Sequence, residues 1–416
     1  MVTTLMLAAG LAGAVQGDTV RLTAAQALER AVAEGRSVRA AAARERAAAA
    51  MLGQARAWRN PMLSVTAENL GAEREVTGRT GLAGTEGQAT LHTTLTVGGD
   101  RGAAIRTAEA ARRGAAAGRE LSEAALRAEL VDWVARADRD ATLARHAAEE
   151  ASDLDRFARA IALRARQGRS SGGEAARAAL EATLAATNAA RRAAEAAASE
   201  AQVTRLLGLP PGTPVRIETP VCGTAVGAEP SPPPELRLAR AQADSAAAAV
   251  ALARARAIPD LQPIAGLRRT AGFSGLLLGL SIEVPVANPG RHLIAAARAD
   301  SEAVAAELDG LERRLAAERA GAGAALSIVE AAGARFTPEW LDAVQRTLVS
   351  ALARYEAGEG TLAELFDARR ARLAALDDFA RWRAERRMAR TQLARLAGNA
   401  IGPELLCDDR TMEVFR

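Results

Sequence analysis

The chain has 416 residues, a formal net charge of +4, 49% hydrophobic residues and only 3% aromatics. A single hydrophobic core stops growing at about 250–300 residues and draws much of its burial from aromatics, which excludes one ordinary globular core. Every basic residue is Arg, interleaved with Asp and Glu instead of massed. That is the pattern of solvated helix faces and argues against nucleic acid as a partner.

The apolar content is mostly Ala, with Leu and Val, in a background of Arg and Glu. Such a chain reads as long helices. Residues 1–17 read as a signal peptide, apolar up to Leu11 and small from Ala12 to Ala14, with cleavage near Ala14 or Gly17. Ala14 stands where a lipobox would need Cys, so no lipid anchor is expected. No later stretch holds the ~18 consecutive apolar residues of a membrane-spanning helix.

The first structural repeat, 18–209, opens with an Ala-rich helix that runs to Pro61. Two strand candidates follow, Leu63–Glu68 and Leu91–Val97, separated by a Gly-rich loop. A helix is then predicted from Ala103 to Arg166, a turn at Gly168, and a return helix from Gly173 to Leu207. Sixty-odd helical residues span roughly 95 Å, a reach no globular domain needs. Residues 210–234 hold eight prolines and form the linker between repeats. The second repeat, 235–400, reads the same way: helix, Pro259, strands at Leu261–Leu267 and Gly275–Val286, a long helix from Leu293 to Glu356, a turn at Gly358, and a helix from Thr361 to Ala397. Pro338 should break or kink the long helix. Residues 401–416 form a C-terminal tail.

The repeats are matched by landmarks. Gly168 and Gly358, Glu174 and Glu364, Arg101 and Arg291, and Gly208 and Gly398 are each 190 residues apart (358 − 168). In the last strand Leu276, Leu278, Leu280, Ile282, Val284 and Val286 share one face, opposite Gly279, Ser281 and Glu283. One fully apolar face at period two is strand patterning, suited to lipid. Four strands cannot close a membrane barrel, whose smallest forms have ~8, so the barrel must be shared between chains.

This organisation resembles the TolC family of outer-membrane efflux proteins. The stretches that carry it are Asn60-Pro61-Met62-Leu63 through Asn69, Gly98-Gly99-Asp100-Arg101, Pro259-Asp260-Leu261, Val284-Pro285-Val286-Ala287-Asn288 and Tyr355-Glu356-Ala357-Gly358. Some are similar to the CzcC-like branch, which serves cation and heavy-metal efflux pumps. The resemblance implies a mainly α fold with a small β part: helical hairpins forming an α-barrel tunnel in the periplasm, and a homotrimeric twelve-stranded β-barrel in outer-membrane lipid. It implies a periplasmic adaptor and an inner-membrane pump, of the RND type, as partners, and a passive channel with no cofactor. The turns at Gly168 and Gly358 would form the tip that meets the adaptor. Glu174, Glu364 and Asp367 match the acidic gate positions, and Tyr355 the gate tyrosine. Rings of such carboxylates favour cations; equally, Glu174 and Glu364 suit a helix N-terminus. Gly360 stands where some members carry a gating Arg, so a Tyr–Arg–Asp lock is not expected.

Cys222 and Cys407 either pair in an oxidising compartment or remain two buried thiols. His92, His146 and His292 are scattered without a zinc-site spacing, so no metal site is expected. No nucleophile–base set stands out, and an enzyme is not expected. Two other readings compete with the duct for small solutes. One is a type I protein-secretion duct. The other is a non-channel periplasmic coiled-coil adaptor or scaffold, which would need none of the four strands.

Overall fold

The computed structural model describes residues 19–68, 86–218, 231–270 and 273–407. The signal-peptide segment and Cys222 lie outside the described residues. The chain divides into two compact units by residue range. One takes residues 37–122 and 232–317; the other takes 1–36, 123–231 and 318–416. Among the described residues, no helix is long and apolar enough to cross a membrane.

The first unit holds the main sheet. Helix α1 (Ala24–Glu34) and helix α2 (Arg36–Arg56) are separated at Gly35. The backbone of Gly35 is extended (φ −61°, ψ 113°), so the N-terminal helix is two helices and not the single one expected, and a Cβ there would sit 2.4 Å from Leu126 Cδ2. Trp58 lies past the end of α2, not within a helix, and stacks under the Arg101 guanidinium at 4.4 Å. After β1 (Val20–Thr23), which like α1 belongs to the second unit, the strands are β2 (Met62–Glu68), β3 (Glu86–His92), β5 (Leu261–Thr270) and β6 (Phe273–Ile282). They form one antiparallel sheet in the order β2-β3-β5-β6.

Strand β3 lies earlier than the expected Leu91–Val97. His92 pairs with Met62, so any further residue would face Pro61, which has no N–H to donate. Beyond His92 only one-sided bonding to β5 continues, ending in the Leu95–Leu261 bridge. Strand β6 also stops early, at Ile282, three residues short of Pro285.

The register sorts the sheet into two faces. Leu63 and Val65 of β2 align with Leu91 and Ala89 of β3, which align with Ala265 and Leu267 of β5. These continue into Leu278 and Leu276 of β6, with Leu280 and Ile282 beyond. The face is apolar across all four strands and is exposed. The opposite face carries Ser64, Thr66, Glu68, Gln88, Thr90, Gln262, Arg268 and Ser281.

Helix α3 (Asp100–Arg166) runs through the ranges of both units, as does α6 (Arg291–Gly333). In the first unit, small residues let α5 (Pro234–Arg256) come close to α3. A Cβ on Gly114 would touch Ala241, and one on Gly118 would touch Leu238. Arg237–Glu120 and Arg113–Asp244 ion pairs flank that contact, while Arg56–Glu109 and Arg119–Glu45 tie α2 to α3.

The second unit is built from the rest of α3, then α4 (Gly172–Leu206), α7 (Pro338–Glu356) and α8 (Leu362–Ala397). The break between α6 and α7 falls at Pro338, the N1 residue of α7, as the sequence predicts. Phe336, Trp340, Phe379 and Trp382 fill the space around it, with ring centroids 5.0–6.2 Å apart. This cluster takes four of the chain's few aromatics, which explains how a core is kept at so low an aromatic content.

The linker contains an element the sequence reading lacked. Strand β4 (Val215–Glu218) pairs parallel with β1. Together with α1, Leu207, Ile401 and the 3₁₀ turn Pro403–Leu406, it forms a small buried centre, with Leu207 and Leu406 fully enclosed. Arg30 Nε donates to the Leu207 carbonyl at 2.8 Å.

Candidate functional site

The two hairpin turns share their closing bond and their capping box at an offset of 190 residues. Gly168 and Gly358 have φ of 73° and 77°, a left-handed conformation that favours Gly. In each turn the helix closes by the bond that follows the Gly: Arg169 N–H to Arg164 O, and Glu359 N–H to Arg354 O, both 2.9 Å. The next helices then start on Ser171 and Thr361, each forming a capping box with the Glu three residues on.

Glu174 and Glu364 are those capping residues. Glu174 Oε2 accepts from Ser170 Oγ at 2.5 Å and from Ser171 N–H at 3.0 Å. The Ser170 hydroxyl chiefly, then the Ser171 backbone, hold its carboxyl below the ordinary range. Glu364 Oε2 accepts from Thr361 N–H at 3.4 Å and lies 3.7 Å from Arg354 Nη2.

Tyr355 sits in the plug between the two hairpins. Its ring lies 5.8 Å from Phe157, and Phe157 meets Phe366 edge-on at 5.9 Å. Leu154, Ile161, Ala178 and Leu362 close the cluster. Burial pushes the Tyr355 phenol up, and the nearby Glu174 carboxylate adds to it. The structure thus brings Tyr355 and Glu174 to one place. Glu364 and Asp367 line a different feature, an open groove between α7 and α8 that also presents Arg346, Ser350 and Arg354. Asp367 is held by Arg370 Nη2 at 2.5 Å, and Arg370 Nη1 reaches Glu181 of α4 at 2.9 Å. Gly360 packs against Arg354, where a Cβ would stand 3.1 Å from the Arg354 Cβ.

Sequence reasoning missed the residues that tie the two hairpins together. Arg369 of α8 lies 3.3 Å from Glu150 and 3.8 Å from Asp153 of α3, largely buried. Arg387 reaches Asp138 at 2.6 Å. These partners are 219 and 249 residues apart, in helices that each carry an Arg or an acid nearly every turn. No local signal separates them from solvated charges.

The geometry of paired hairpins, glycine turns and an amphipathic four-stranded sheet agrees with the comparisons. The outer membrane efflux protein family matches residues 232–399. That match covers the second half of the chain alone, and over most of its length the chain is similar to solved channels in fold. Its fold is that of TolC-type channels, which combine an α-barrel tunnel with a β-barrel. It superposes on the outer-membrane channel OprN with a TM-score of 0.76 at 20% identity, covering 90% of both chains. It matches the outer membrane protein VceC of Vibrio cholerae with a TM-score of 0.73 at 18% identity, over 90% of this chain and 96% of VceC. CusC gives 0.72 at 18% identity, over 90% and 91%. No curated relative matches the chain by sequence.

Proposed function

We propose that this protein is the outer-membrane exit duct of a tripartite pump, a passive homotrimeric channel from the periplasm to the exterior. One observation carries the reading: a four-stranded sheet with a continuous, exposed apolar face, a polar opposite face, and two open edges at β2 and β6. An open edge has no place in lipid, where each unpaired backbone group costs several kcal/mol. Strand β2 of one chain must therefore find β6 of another, and three chains give a twelve-stranded barrel with the apolar face outward. Transport energy comes from an inner-membrane pump of the RND type, linked through a periplasmic adaptor that meets the turns at Gly168 and Gly358.

Small solutes are the cargo, with heavy-metal cations first, from the resemblance to the CzcC-like branch. The carboxylates of Glu364 and Asp367 in the α7–α8 groove suit cations, although Arg354 and Arg370 already offset part of their charge. Tyr355 and Glu174 act as the gate between hairpins, with the Phe157–Phe366 stack behind them.

The test is to express residues from Asp18 onward behind a working signal peptide, isolate outer membranes, and size the detergent-solubilised protein by light scattering. A trimer in that fraction, conducting ions in planar bilayers, is the expected result. A soluble monomer or dimer in the periplasm would sink the duct. For the cargo, a strain lacking the protein should retain divalent metal and lose tolerance to it. Unchanged metal content would remove heavy metals from the proposal.

A further inference from the structure

The seam between α3 and α8 carries a ladder of charged pairs in antiparallel order. Asp138 faces Arg387, His146 faces Asp377, and Glu150 with Asp153 faces Arg369. At the Asp138 and Glu150 rungs α3 supplies the acid and α8 the Arg. The His146 rung is reversed: α3 supplies the base and α8 the acid, and the base is the side chain type that gains or loses charge between pH 5 and 8. We propose that this seam is a proton-operated clasp, in which a proton on His146 tightens the packing of α8 on α3 and a proton on Asp132 relieves a buried charge beside it.

His146 Nδ1 lies 3.3 Å from Asp377 Oδ1, with side chains 16% and 13% exposed. Neutral imidazole makes an ordinary hydrogen bond there; imidazolium makes a charge-assisted one, roughly twice as strong. The other charges at that level already have partners. Arg381 lies 3.9 Å from the second Asp377 oxygen, Glu150 is engaged by Arg369, and Arg192 of α4 pairs with Glu195 at 2.8 Å. A proton on His146 therefore meets Asp377 as its direct counter-charge.

Asp132 lies farther along the seam, towards the C-terminal end of α8. It lines a cavity with Glu129, Trp133, Arg136 and Arg395, and its Oδ1 is buried without a hydrogen-bond partner. Burial pushes its carboxyl up to about 6, against the opposing pull of Arg136 and Arg395. Arg136 is stacked on Trp133 at 5.1 Å, and Glu129 is paired with Arg205 of α4 at 3.0 Å. A folded-state value above the unfolded one means stability that is complete in acid and is lost as pH rises through about 6. A proton on either residue thus favours the folded seam.

The clasp rests on the seam alone; that it biases the channel towards its closed form rests on the duct reading above. The experiment follows thermal melting of the full-length protein in detergent from pH 8 to pH 5.5. The wild type should gain on the order of 2–4 °C on acidification. His146→Gln and Asp132→Asn should each remove part of that gain, and the double variant most of it. Asp132→Asn should also melt higher than wild type at pH 8. Exchanging the pair, His146→Asp with Asp377→His, should restore the His146 share, which separates lost titration from lost packing. A gain kept in full by the double variant, or absent from the wild type, overturns the clasp. In planar bilayers, conductance should fall on acidification in the wild type and not in the double variant. A protein that melts as expected but conducts at no pH leaves the clasp standing and removes the duct.

Discussion

Gly333 and Gly310 share helix α6 but stand in opposite surroundings. A Cβ on Gly333 would lie 2.0 Å from Trp382 Cζ2, and that indole is fixed by its N–H bond to the Val329 carbonyl at 2.7 Å. A Cβ on Gly310 would meet nothing within 4 Å. Gly333→Ala should therefore cost about 1–3 kcal/mol by overpacking the aromatic cluster. Gly310→Ala should stabilise by about 0.5–1 kcal/mol, because the unfolded chain loses freedom and the helix loses nothing. Denaturant midpoints of the two variants check this, and a Gly333→Ala protein as stable as wild type would show that the cluster yields. Glu174 carries a pH effect of its own. Its folded-state carboxyl titrates below the ordinary range, so its share of stability is present above the unfolded value and lost as pH falls through the folded one. Glu174→Gln keeps a capping side chain but no charge. Its melting curve should be flatter than wild type on the acid side of about pH 5 and parallel to it above. Ser171→Ala, which removes the partner cap, should cost about 1 kcal/mol at any pH.

At the scale of the element, the sheet makes the sharpest demand. Leu278 lies on the apolar face, opposite Ala265, whereas Gln88 lies on the polar face of β3. In a bilayer, Leu278→Arg should cost about 2–4 kcal/mol and lower the yield of folded protein in lipid vesicles. Gln88→Arg should insert as wild type does. Equal loss in both would mean that neither face meets lipid. The alternation that defines β6 is plain in the sequence because a Leu stands at every second position. The hairpin turns were equally legible, since a Gly followed three residues on by Ser or Thr, and three further on by Glu, is a C-cap and capping box spelled out. The same two Glu residues read as gate acids and as charges suited to a helix N-terminus, because helix chemistry and pore chemistry ask for one residue type at one place. What could not be read is pairing at long range. Strand β3 slipped by five residues because its limit is set by Pro61 on another strand. Strands β1 and β4, four residues each, are partners only because Val20 meets Val215. The α3–α8 ladder joins ordinary helix charges that nothing local distinguishes.

At the scale of the whole chain, the two halves of the sequence are joined by more than the Pro-rich segment between them. The main sheet interleaves them, since the β3–β5 pairing is its centre. Cys407 is disulfide-bonded and follows directly on the fully buried Leu406, while the chain's other cysteine, Cys222, lies in the linker outside the described residues. We propose that these two are partners. They are 185 residues apart (407 − 222), so the bridge closes a loop holding α5, the second hairpin and two strands of the sheet. In the chain-entropy view, a loop of that size removes much of the freedom of the unfolded state and contributes about 2–5 kcal/mol. The bridge also restricts where the protein can mature, because such a bond forms in an oxidising compartment and not among cytosolic thiols. A non-reducing peptide map should show one linked pair containing Cys222 and Cys407 that separates on reduction. Cys407→Ser should melt lower than wild type, and Cys222→Ser by the same amount, since either change opens the same loop. Unequal losses, or two free thiols in the untreated protein, would mean that Leu406 and its neighbours hold the C-terminal segment by packing alone.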